Sequence, residues 1–152
     1  MGIALSLHLL AATVWVGGMF FAYLCLRPVA AAQLEPPLRL TLWSQVFARF
    51  FRWVWLAVVL LPVTGYWMVF AGFGGMENVS WSTHTMQATG LLMIAIYLFL
   101  FFGPYPELRR AVSDQRWPDG AAALNRIRQL VLTNLILGLI TVAVAGSGRW
   151  LR

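Results

Sequence analysis

The sequence contains no lysine, one cysteine, two histidines and five acidic residues among 152 positions. A lone Cys25 excludes an intrachain disulfide and any thiolate cluster for zinc or iron–sulfur. The five acidic residues all fall in predicted connections, and no Ser/His/Asp arrangement is visible, so no catalytic residue is assigned. Charge is scarce throughout, at 11% of residues against 61% hydrophobic. Soluble domains lie nearer a quarter charged and half apolar. The chain is therefore read as a single integral membrane domain spanning 1–152. Its first apolar segment has a signal peptide's position but lacks a basic leader and exceeds an h-region in length. It is read as a retained helix.

All eleven basic residues are arginine, and the net charge is +6. They sit in connections and at helix ends, which suits membrane topology and anionic headgroups. Nucleic acid is not an expected partner. Membrane lipid is, and so is a homo-oligomer or a larger membrane complex.

A spanning helix needs about 20 mostly apolar residues. Four segments qualify, at about 3–26, 53–73, 82–102 and 130–144. The expected fold is all-α, a four-helix membrane bundle. A bend is expected at Pro62 and Gly65. Before the second span, Leu38, Leu42, Val46 and Phe50 recur at helical spacing and predict an interfacial amphipathic start. Cytoplasmic extensions of the third and fourth helices are expected, with Pro118-Asp119-Gly120 as their turn. The first connection carries Arg27, Arg39, Arg49 and Arg52, and the third carries Arg109, Arg110, Arg116, Arg126 and Arg128. The second connection has none. The positive-inside rule then places both termini in the periplasm of a bacterial inner membrane. Tryptophans near the span ends read as an aromatic belt. Trp15 is the exception by depth.

Ionisable residues inside a span are costly and mark functional sites by default. His8 lies about 8 Å below the outer edge of the first span, at 1.5 Å per residue. His84 lies at similar depth on the third. The His8 face carries Ala12, Trp15, Met19 and Ala22, and the His84 face carries Ala88, Leu91 and Ala95. An alanine one turn below each imidazole leaves room for a flat macrocycle. That pattern suits haem b held between the first and third helices, with His8 and His84 as axial ligands. Ala12, Trp15 and Ala88 would line it and Arg149 would meet a propionate. Copper on the same histidines is the alternative, with Met86 or Met76 as a soft ligand. Met86 lies about 200° around its helix from His84, so those two cannot point the same way. The third reading is a cofactor-free subunit or assembly factor, with the histidines as interfacial hydrogen-bonders. Asn134 is expected to bond a neighbouring helix. Gly17, Gly18, Gly90 and Gly138 suit contacts within one bundle or between copies.

LHLLAATVWVGGMFF, with His8, Trp15 and Gly18, resembles the first helix of the copper-resistance protein D (CopD) family. THTMQATGLLMIAIYLFLFFGPYPELRRAV and LNRIRQLVLTNLILGLITVAVAGSGRW look like the last two helices of its short members. The resemblance implies copper uptake across the inner membrane. The first helix is also distantly similar to HemJ-type protoporphyrinogen oxidases, which implies a b-type haem. Those enzymes use a lysine on the third helix, and this chain has none. That departure argues against protoporphyrinogen oxidase activity, and because a bis-histidine haem leaves no open position for substrate, an electron-transfer or transport protein is expected rather than a stand-alone enzyme.

Overall fold

The computed structural model describes residues 1–148. Helix α1 (Gly2–Phe20) continues through a widened π-helical turn, Phe21–Leu26, into α2 (Arg27–Gln33). After a two-residue break comes α3 (Pro36–Gly72), then a short 3-10 segment, Met76–Asn78. The chain closes with α4 (Trp81–Phe102), α5 (Pro104–Ser113) and α6 (Trp117–Ser147). Four stretches are long and apolar enough to cross a membrane: Gly2–Gln33, Pro36–Gly72, Trp81–Ser113 and Trp117–Ser147. Among the described residues there is no strand. The protein is an all-α, multi-pass membrane bundle.

Short connections make sequence neighbours antiparallel. Helix α1 packs along α3, while α4 and α5 pack along α6. Helix α6 also meets α1 and α3. In lipid, such packing rests on close van der Waals contact, which small residues permit. Gly138 of α6 shows this: a Cβ there would lie 2.8 Å from Val16 of α1 and 3.2 Å from Met93 of α4. Gly18 likewise faces the Phe50 ring of α3. Both glycines serve contacts within the bundle. A Cβ on Gly17 or Gly90 meets nothing within 4 Å. Gly138→Val is expected to cost about 1–3 kcal/mol by forcing α6 away from α1 and α4. A lowered melting temperature in detergent checks this.

Aromatic rings fill the centre. Trp15 of α1 meets Tyr97 of α4 at 6.1 Å between centroids, and Tyr97 meets Phe51 of α3 at 5.5 Å. The contacts continue through Phe51–Phe47 at 5.1 Å and Phe47–Trp43 at 5.2 Å. Tyr105 of α5 packs edge-on against Phe51 at 4.9 Å.

Two sequence expectations change here. The buried face at the start of α3 is Leu40, Trp43, Phe47 and Phe51, not Leu38, Leu42, Val46 and Phe50. Leu38 is exposed. The segment belongs to the core because α5 and α6 cover it beyond the span. The turn in the third connection also moves. It lies at Asp114–Arg116, where Gln115 adopts φ 57°. Pro118 and Asp119 open α6 instead, positions that suit proline's fixed φ and the helix dipole. Arg116 holds this corner through Asp119 at 2.6 Å and Asp114 at 3.2 Å. The α4–α5 break falls at Gly103, where a Cβ would lie 2.7 Å from the Phe99 carbonyl. Helix α3 runs through Pro62 as one helix. Asn134 Nδ2 donates to the Met93 carbonyl at 3.0 Å, the interhelical bond expected of it.

Candidate functional site

A cavity of about 340 Å³ lies between α1, α3, α4 and α6, in the half of the bundle away from the arginine-rich first and third connections. It exists because α4 reaches α1 and α3 through long side chains rather than close backbone packing. Below, Trp15 and Tyr97 hold the gap open. Above, small residues line it: Ala12 on α1, Gly65 on α3 and Gly90 on α4. Gln87 Nε2 donates to the Tyr66 hydroxyl at 2.6 Å and ties α4 to α3 at the rim. Thr141 of α6 donates to Thr89 of α4 at 2.7 Å.

His8 is half-buried in this wall. Its Nδ1 lies 2.8 Å from Thr64 Oγ1 on α3. The Thr64 hydroxyl lies 2.5 Å from the Leu60 carbonyl and 3.3 Å from that of Leu61. A hydroxyl has one proton to give. The shorter contact takes it to Leu60, so Thr64 donates there and accepts from His8 Nδ1–H. This assignment fixes the tautomer and leaves Nε2 with a free lone pair. An imidazole held by one nitrogen and open at the other is arranged as metal ligands usually are. Gly65 lets the ring lie against α3: a Cβ there would touch His8 Cε1 at 3.4 Å.

Three methionines share the cavity: Met68 of α3, and Met86 and Met93 of α4. Among the described residues, no carboxylate and no arginine lines it. One imidazole and three thioethers line this apolar chamber, and as potential donors all four are neutral and the thioethers soft. Such donors favour Cu(I) over hard divalent ions. Among the described residues, no group of three or more His, Cys, Asp or Glu could hold a metal. The thioethers therefore determine what this chamber can bind.

The structure separates the expected residues. His8, Ala12, Trp15 and Met86 line the cavity. His84 and Ala88 lie on the exposed side of α4, whose inward face is Thr83, Met86, Gly90, Met93 and Tyr97. No second imidazole faces His8. The bis-histidine haem expectation thus lacks its second imidazole in this cavity. The electron-transfer reading rested on that pair and loses its support. Met76 sits in the 3-10 segment, outside the cavity lining. Arg149 lies outside the described residues. Sequence reasoning missed Thr64, Met68 and Met93. A polar Thr64 inside an apolar span was a usable signal. The methionines gave none, because methionine also fills cores indiscriminately.

Comparison with known proteins gives two findings. A family model described as "Copper resistance protein D" (CopD) matches residues 44–147. That stretch holds most of α3 and all of α4, α5 and α6, with Thr64 and the three methionines, but not α1 with His8. The chain is also 29% identical over 134 residues to a protein of Aquifex aeolicus (strain VF5) described as an "uncharacterized protein". That alignment covers 86% of this chain and 89% of the relative. No solved structure matches the chain.

Proposed function

The chain belongs to the copper resistance protein D family, and from that premise we propose that it is a copper-handling membrane protein whose cavity takes up Cu(I). The observation that carries the proposal is the meeting of His8 with Met68, Met86 and Met93 in one apolar chamber. Copper would be cargo for this protein rather than a resident cofactor. His8 Nε2 and the thioether sulfurs would supply neutral donors, Thr64 orients the imidazole, and among the described residues no arginine lines the cavity to repel an arriving Cu⁺. The cavity lies at the end opposite the nine arginines of the first and third connections, which outnumber Arg149 and Arg152 after α6. By the positive-inside rule that end faces the periplasm of a bacterial inner membrane, so copper would enter from outside.

The test is a competition titration. The protein, purified in mild detergent under reducing, oxygen-free conditions, is titrated with Cu(I) against a coloured Cu(I) chelator. The expected result is about one Cu(I) per chain, matching a single soft donor set. His84→Ala should leave the titration unchanged, because His84 lies on the exposed side of α4. Failure to retain Cu(I), or dependence on His84, would overturn the proposal.

A further inference from the structure

A second cavity of about 290 Å³ lies at the arginine-rich end. Its walls come from the π-helical turn with α2, from the start of α3 and from the first half of α6. Each wall contributes one arginine: Arg27, Arg39 and Arg128. All three are half-buried. None makes an ion pair or a side-chain hydrogen bond with a described residue. No carboxylate lines the cavity. Of the acids at this end, Asp114 and Asp119 are engaged on Arg116 and Glu107 on Arg126, while Glu35 is exposed in the break before α3 and pairs with none of the three arginines. Arg27 lies over the Tyr23 ring at 4.9 Å, which holds its guanidinium at the cavity mouth.

Three converging guanidinium groups repel one another, and partial burial weakens the screening that water would give. An anion between them would remove that cost. The planar donor fork of arginine suits tetrahedral phosphate oxygens in particular. The remaining wall is amphiphilic. Trp43, Phe47, Leu124 and Val131 continue from the arginines toward the spanning segments. Arg27 is the first charged residue after the first apolar run, so the cationic part lies at headgroup depth. Basic pockets between spanning helices are known to suit anionic headgroups.

We propose that this cavity is a binding site for a phosphate-bearing anion, held by Arg27, Arg39 and Arg128 together. The inference is independent of the copper reading, since the two cavities share no lining residue. Two sources offer the same chemistry: the headgroup of an anionic phospholipid, or a free phosphate.

The test uses detergent-purified, delipidated full-length protein and native mass spectrometry. Phosphatidylglycerol, phosphatidylcholine and inorganic phosphate are added in turn. Saturable phosphatidylglycerol binding that exceeds phosphatidylcholine binding, and that phosphate does not displace, identifies a lipid site. Saturable binding of inorganic phosphate that competes with the lipid identifies a free-phosphate site. Either result supports the proposal only if the variant Arg27→Gln/Arg39→Gln/Arg128→Gln weakens binding on the order of a hundredfold. Arg109→Gln/Arg110→Gln removes exposed charge from the same end and should change affinity by less than about threefold. Should the triple variant not fold, the three single variants replace it, each expected to lose about fivefold. Equal losses in the control and the pocket variants, or no saturable binding, would overturn the proposal.

Discussion

His8→Ala should lower Cu(I) affinity on the order of a hundredfold while leaving the bundle folded. Removing the imidazole removes the one imidazole among the described lining residues and leaves three thioethers for the proposed Cu(I). The structural cost is small: one interhelical hydrogen bond, worth under about 1 kcal/mol in a membrane protein. Alanine itself favours helix. Binding and stability should therefore separate, with the chelator titration shifted and the melting temperature nearly unchanged. Thr64→Val sharpens the result. It keeps the side chain's shape and removes the oxygen that accepts from Nδ1. Loss of such a supporting partner typically costs about 10–100-fold in metal affinity. If His8→Ala bound Cu(I) as the parent does, the cavity would not be the copper site.

Phe51→Ala should destabilise the protein by about 3 kcal/mol, the largest single stability loss expected here. The Phe51 ring contacts Phe47, Tyr97, Phe101 and Tyr105, drawn from α3, α4 and α5. It is 4% exposed. Within a bilayer, packing rather than water exclusion holds helices together, so the vacated ring volume is lost contact with no replacement. The backbone neighbours on α4 and α5 cannot close the gap, because other rings hold them apart. Thermal unfolding in detergent gives the measurement. A change under about 1 kcal/mol would mean that the aromatic centre repacks freely.

Four spans were legible from apolar run length alone, and the structure has four helices of that kind. The inward face of α1 was legible too: the helical count from His8 passed through Trp15, Met19 and Ala22, all buried. The same count from His84 traced the exposed side of α4. Rotation of a helix in lipid explains the difference. A span that is apolar all round carries no amphipathic signal, and on α4 the small and polar residues occur on both faces. The beginning of α3 failed for a related reason. Two apolar stripes run along it, and only the later arrival of α5 and α6 decides which is covered. The cavity's methionines come from α3 and α4, which contact each other little along their backbones, so no local spacing encodes their meeting.

The column of rings from Trp15 to Trp43 has an electrical consequence. Trp15 lines the cavity at one end and Trp43 lines the cavity at the other. Between them Tyr97, Phe51 and Phe47 pack ring against ring, edge-on at Tyr97 and face to face at Phe51–Phe47, and are all but fully buried. A plug of that kind leaves no room for a chain of water along this column, and the one hydroxyl within it, on Tyr97, is engaged with the Phe51 carbonyl. The molecule is a pair of cups set base to base rather than a pipe. An energised membrane can hold many copies without its voltage draining through them, and an ion that enters one cup must leave by the mouth it came in unless the helices move.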